Sequence, residues 1–135
     1  MSRSTGSDHF HFWTDAMKSI GSFSEIYLCT SHVDFRMSID GLAAVVKLEL
    51  EKDVFRAKSL FVFVNRDRTR LRILYWDKTG FALWMKRLEK DRFVWPKNYS
   101  AKDITIRSVD LEWLLDGVDI WKIKPHKELK FSEIV

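Results

Sequence analysis

Between Ser59 and Pro96 the chain alternates apolar runs with polar connections too short for a crossover. The runs are SLFVFV (59–64), RLRILYW (70–76), FALWMKRL (81–88) and RFVWP (92–96), joined by NRDRT, DKTG and EKD. Connections of this length join antiparallel strands, whereas a parallel pair needs a dozen residues or more. Pro96 has no N–H to give to a ladder and ends the last run. The segment therefore predicts a meander of four strands, and EIYLC (25–29) is a fifth short run that joins it at one edge.

Helices flank these runs. Asp40 caps a helix in which Leu42, Val45, Val46 and Leu50 recur at helical spacing, while Lys47, Glu49, Glu51 and Lys52 take the other side. Ser108 caps a second helix carrying Leu111, Leu114, Leu115 and Val118, with Gly117 near its stop. The stretch IWKIKPHKELKF (120–131) is amphipathic but interrupted by Pro125, so it either wraps the body or projects from it. The fold expected is α+β: a twisted antiparallel sheet of hairpins, four or five strands, with two or three helices packed on one face.

A chain of 135 residues is long enough for one core and not two. Residues 1–22 are polar, without a steady period, and read as a mobile tail in which His9 and His11 have no role; residues 23–135 form the single domain. The longest apolar runs, LFVFV and LAAVV, fall far short of a membrane span of about 20 residues. The N-terminus lacks the apolar region of a signal peptide. A lone Cys29 excludes an internal disulfide and a multi-cysteine zinc site. These features point to a cytoplasmic protein with no membrane partner, no metal and no cofactor.

The net charge of +4 is unevenly spread: residues 56–92 hold eleven Lys/Arg against four Asp/Glu, whereas residues 1–55 hold five against eight. Arg66, Arg68, Arg70 and Arg72 fall at alternate positions around one hairpin, and in an extended chain alternate residues share a face. Guanidinium forks match phosphate oxygens, so these four, extended by Lys86 and Arg87, are candidate nucleic-acid contacts. A charged edge that discourages strand aggregation explains the same pattern, and both readings stay open. Trp76 shares parity with Arg70 and Arg72 and is a candidate for base stacking or an interface, as are Trp84 and Trp95, for which burial is the alternative. Tyr75, with Leu71 and Ile73, belongs to the core side.

Asp34, Arg36 and Asp40 lie in a loop and helix start. Two carboxylates six apart could share a divalent ion, with Glu49 the one further ligand in reach, but a nuclease centre needs more. Asp34 paired with an arginine and Asp40 as a helix cap are the structural alternatives. No Walker loop, nucleophile elbow or HExxH is present, and hairpins rather than alternating strands and helices do not suit a nuclease core of the alternating strand-and-helix kind. The chain reads as non-enzymatic.

The runs VDFRMSIDGLAAVV, LFVFVNRDRTRLRILYWDKTGFALWMKRLEKDRFVWP and LEWLLDGVDIWKIKPHKELKF resemble the accessory proteins of the bacterial insertion-sequence sixty-six family, the second-open-reading-frame product called TnpB. The likeness runs from about Ile26 to Phe131 and is most specific at Leu74-Tyr75-Trp76-Asp77, Gly80-Phe81, Lys86-Arg87-Leu88-Glu89 and Phe93-Val94-Trp95-Pro96. Phe35 and Met37 depart from it, standing where the family more often has Met and Lys. The resemblance implies an accessory role in transposition, distinct from the RNA-guided nucleases that share the TnpB name. Its implied partner is a separate transposase of the same element. DNA and a second copy of the chain are further expected partners, with nucleoid association if DNA is bound. A pure protein–protein adaptor and a metal-dependent nuclease are the competing readings.

Overall fold

Every residue of SLFVFV is buried, which dictates where this run must lie. A strand covered on both faces reads as continuous apolar sequence instead of alternating, and it belongs in the middle of a sheet. The computed structural model describes residues 20–97 and 99–123. Most of the expected N-terminal tail, with His9 and His11, lies outside the described residues, as does everything after Ile123. The strands are β1 (Glu25–Cys29), β2 (Ser59–Val64), β3 (Arg70–Asp77), β4 (Gly80–Arg87) and β5 (Asp103–Ile106), in the spatial order β4-β3-β2-β1-β5.

β2 thus occupies the centre. β3 and β4 follow it as the two expected hairpins, with Val62 opposite Ile73 and Ile73 opposite Trp84. β1 pairs with β2 in parallel, Ile26 beside Leu60, and lies inside the sheet, not at its edge. This corrects the wholly antiparallel expectation, and the reason is topological. A helix intervenes between β1 and β2, and a strand–helix–strand path returns the chain in the same direction. β5 closes the other edge antiparallel to β1, Ile106 opposite Ile26.

The fourth run of the expected meander, 92–96, is not a strand. Its aromatics enter the core instead: Phe93 and Trp95 are buried, the Phe93 N–H donates to the Arg68 carbonyl at 2.7 Å, and the Trp95 indole N–H donates to the Cys29 carbonyl at 2.9 Å.

Helices cover both faces, a further correction to the one-sided arrangement. On one face α1 (Ile39–Ala44), continued by a π-helical turn Val45–Glu49, lays Leu42, Val45 and Val46 over Phe61, Phe63 and Leu74. On the other, α2 (Ser108–Leu115) and α3 (Ile120–Ile123) place Leu111, Leu114, Leu115 and Ile120 over Leu60, Val62, Leu71 and Ile73. Cys29 is buried at the rim of the first core, and desolvation pushes its thiol up to about 11, so it stays protonated at neutral pH.

The caps differ from expectation by one or two residues. Ser38, not Asp40, caps α1: its hydroxyl accepts from the Gly41 N–H at 3.3 Å, while Asp40 sits in the first turn facing the positive end of the helix. Arg107, not Ser108, precedes α2, and the buried Asp110 carboxylate accepts from its backbone N–H at 3.0 Å and from its guanidinium. The stop is as expected. Gly117 adopts a left-handed φ of 84°, its N–H reaches the Leu114 carbonyl at 3.0 Å and the Val118 N–H reaches the Trp113 carbonyl at 3.1 Å, a complete Schellman motif.

Gly117→Ala should lower stability by about 1 kcal/mol through its backbone conformation, since an added Cβ would meet nothing closer than 3.9 Å. Gly80→Ala, in open space and without a left-handed φ, should stay within about 0.5 kcal/mol. Urea denaturation of both variants checks the pair, and an equal loss in each would contradict this account of the cap.

Candidate nucleic-acid interface

The turn between β2 and β3 is organised by one side chain. The Asn65 Oδ1 accepts from the N–H groups of Thr69 and Arg70, each at 3.0 Å, and its Nδ2 donates to the Thr69 hydroxyl at 3.2 Å. Backbone bonds from Arg68 N–H to the Asn65 carbonyl and from Asn65 N–H to the Arg70 carbonyl complete the loop. Asparagine suits this position because its amide imitates a peptide group. The result is a turn that holds Arg66, Arg68 and Arg70 at the end of the sheet, all three exposed. Among the described residues none of them takes part in an ion pair.

Two further arginines adjoin this turn. Arg87 stands directly opposite Arg70 in the β3–β4 register, with its guanidinium held by Glu89 at 2.9 Å. Like charges facing each other across a ladder are destabilising, and Glu89 relieves part of that cost. Arg92 is exposed and is brought to the turn because the next residue, Phe93, bonds to the Arg68 carbonyl. The sequence reading missed Arg92 by placing 92–96 in a strand. The signal that could have found it is the pair of large apolar residues, Phe93 and Trp95, that a chain end so rich in charge would need to bury.

The remaining expected contacts are spent inside the molecule. Arg72 shares a face with Arg70, as the alternation requires, but its Nη1 donates to the Met37 carbonyl at 3.1 Å and its guanidinium lies 4.6 Å from the centre of the Phe35 ring. Lys86 points to the opposite face, where its ammonium donates to the Leu115 carbonyl at 2.8 Å and lies 3.9 Å from Asp116, so it closes the C-terminal end of α2. Trp84 and Trp95 are core residues, which corrects their reading as stacking or interface groups. Trp76 is half-buried and forms a three-ring cluster with Phe81 at 5.0 Å and the exposed Phe55 at 5.2 Å.

The loop before α1 is pinned against the same end of the sheet. Asp34 accepts from the Arg36 guanidinium at 2.7–3.1 Å and from the Arg36 backbone N–H at 2.9 Å. These hydrogen bonds hold its carboxyl down at about 2. The expectation of an Asp34–arginine pair is met in this geometry. A shallow cleft of about 600 Å³ separates this loop from the turn, with Asp34, Arg36, Arg66 and Arg70 on its walls beside Asp67 and Glu49. Three carboxylates offset the three arginines there, and Arg68 is not on the cleft wall. Asp40 is not on the cleft wall. Among the described residues no group of three or more His, Cys, Asp or Glu could hold a metal ion, and no helix is long and apolar enough to cross a membrane.

All of these elements fall within the stretch from residue 24 to 125 that matches the family model for the IS66 Orf2 like protein, TnpB_IS66. The chain belongs to the IS66 Orf2-like family. Among its relatives are two uncharacterized proteins of Sinorhizobium fredii (strain NBRC 101917 / NGR234). One, y4hO, is 33% identical over 102 residues, 76% of this chain and 86% of the relative. The other, y4jC, is 33% identical over 94 residues, 65% of this chain and 80% of the relative. No solved structure matches the chain. The IS66 Orf2-like stretch includes the basic turn, the Asp34–Arg36 loop and all five strands.

The division of the arginines is testable through stability. Arg72→Gln should cost about 1–3 kcal/mol, because it leaves the Met37 carbonyl short of a charged donor and uncovers Phe35. Arg66→Gln and Arg70→Gln, which remove no ion pair, should change stability by less than about 0.5 kcal/mol. Thermal or urea unfolding reads the difference, and equal losses at all three positions would show that the turn arginines also belong to the fold.

Proposed function

We propose that this IS66 Orf2-like protein is a non-catalytic accessory factor of insertion-sequence transposition that holds DNA phosphates on its β2–β3 turn and assists a separate transposase. One observation carries this reading: Arg68 adopts a left-handed φ of 63°. That conformation costs a side chain about 1–2 kcal/mol relative to glycine, and asparagine or aspartate would tolerate it better. Arg68 contributes no side-chain hydrogen bond or ion pair among the described residues to offset the cost. Its backbone groups bond to Asn65 and Phe93, and Glu51, Lys58 and Lys78 share the conformation, but the exposed Arg68 side chain is left available to a partner. Edge protection does not account for it either, because β2 and β3 are both interior strands and the sheet's edges are β4 and β5.

The contact set is Arg66, Arg68 and Arg70, flanked by Arg87 and Arg92. A turn preorganised by Asn65 presents them without further ordering, which favours binding. Phosphate contact fixes position without reading bases, as suits a factor that leaves the choice of site to another protein. The exposed Phe55, packed on Trp76 and Phe81, offers an apolar surface for the transposase or for a second copy of the chain. The non-catalytic part of the proposal draws on Asp34, whose carboxylate is committed to Arg36, and on the missing motifs. Bound to DNA, the protein would reside in the bacterial cytoplasm with the nucleoid.

The test is the salt dependence of binding to duplex DNA. Each phosphate contact gives log K a slope of about −0.9 against log salt. Arg68→Gln with Arg70→Gln should make the slope shallower by nearly two and weaken unrelated sequences alike. Loss confined to one preferred sequence would indicate base reading instead, and a wild type without affinity at low salt would leave the adaptor as the function.

A further inference from the structure

A second cleft lies on the other side of the same sheet end. After Phe93 the chain runs past Trp95 and Pro96 to Lys97, and at most about 14 Å of extended backbone separates Phe93, bonded to the basic turn, from Lys97. Here Pro96, Tyr99 and Trp121 form the apolar walls of a depression of about 320 Å³, with Lys97 and Lys122 at its rim.

The rings are held differently. The Trp121 indole N–H donates to the Val94 carbonyl at 2.7 Å, which fixes the indole as a wall. Tyr99 is half exposed, its ring centre 6.4 Å from that of Trp121 and inclined at 60°, so the two rings do not stack on each other and the phenol keeps a free face. Asp119 is the one carboxylate in the lining, and one of its oxygens already accepts from the N–H groups of Trp121 and Lys122 at 3.1 and 3.2 Å. The depression therefore offers an aromatic face with two exposed ammonium groups beside it.

We infer that this cleft, formed by Pro96, Tyr99 and Trp121 between Lys97 and Lys122, is a second binding site that takes an unpaired nucleobase of single-stranded DNA together with its neighbouring phosphates. A planar ring joined to an anion is the ligand that matches a free aromatic face flanked by cations, and any base presents such a ring. A base inside a duplex cannot reach into the depression, so the site selects single strands. It stands on residues separate from the turn arginines, and the nearness of the two lets one strand touch both.

The experiment is fluorescence anisotropy of the full chain with a labelled (dT)12 strand and with a blunt 12-base-pair duplex. Tyr99→Ala should weaken (dT)12 by about fivefold or more, as loss of one stacked base does. The duplex should change by less than about twofold, since its contacts lie on the turn. Tyr99→Phe should bind (dT)12 as the wild type does, because the ring and not the hydroxyl supplies the stacking. Lys97→Gln with Lys122→Gln should make the (dT)12 salt slope shallower and leave the duplex slope unchanged. Circular dichroism confirms that each variant is folded, and Trp121→Phe with quenching of the remaining tryptophans provides a second readout should Tyr99→Ala unfold. Absence of (dT)12 affinity at low salt, equal loss for both DNA forms, or displacement of (dT)12 by poly-glutamate as readily as by unlabelled (dT)12 would overturn the assignment. Failure here with an intact duplex slope leaves the turn proposal standing, and the reverse result separates the two just as cleanly.

Discussion

The constraint on which the structure depends is that β2 must be dry on both sides. Leu60, Val62 and Val64 face one way and Phe61 and Phe63 the other, all essentially without solvent contact. A strand of this kind demands cover above and below, and the chain supplies it from four elements: α1 on one face, and α2, α3 and the Phe93–Trp95 segment on the other. With both faces covered, the sheet has only its ends and edges left with which to meet a partner. The β2–β3 turn lies at one such end, with Arg66, Arg68 and Arg70 outside any ion pair among the described residues.

The four arginines of the hairpin show how one residue type is divided by position. Arg72 is deep enough in the strand for its guanidinium to be drawn into the space between Phe35 and the Met37 carbonyl, and it ties the loop before α1 to the sheet. Arg70 stands one pleat nearer the turn, and Arg66 and Arg68 lie within it, where none of the three pairs with an acid among the described residues. Lys86 illustrates the same rule on the opposite face, where the carbonyls ending α2 take its ammonium. Arg72 and Lys86 serve the fold, whereas Arg66, Arg68 and Arg70 take part in no ion pair among the described residues.

Much of this was legible in the sequence, for identifiable reasons. Short polar connections showed the two hairpins, and the spacing of Leu42, Val45, Val46 and Leu50 showed which side of α1 is buried. The parallel β1–β2 pair was written there too, as a strand, a helix and a strand in succession, but the strength of the hairpin pattern obscured it. The segment 92–96 misled because Phe93 and Trp95 alternate as strand residues do, while pairing depends on a neighbour that sequence does not display. β5 went unread because four residues, DITI, between charged flanks carry almost no periodic signal. At the site, local features such as the arginine comb and the pairing of Asp34 with an arginine could be named, but which cations were spent internally depended on α1 and α2 meeting the sheet. The left-handed backbone at Arg68 has no sequence signature at all.

That backbone gives the most direct measurement. In one variant, Arg68→Gly, relief of the left-handed strain and loss of a phosphate contact should appear with opposite signs. Urea denaturation should show a gain of somewhat under about 1 kcal/mol, while affinity for duplex DNA in 0.1 M salt should fall about eightfold, the loss expected for one released counterion contact. A variant that binds duplex DNA as well as the wild type, or one that loses stability, would contradict the claim that Arg68 is held there for a partner and not for the fold.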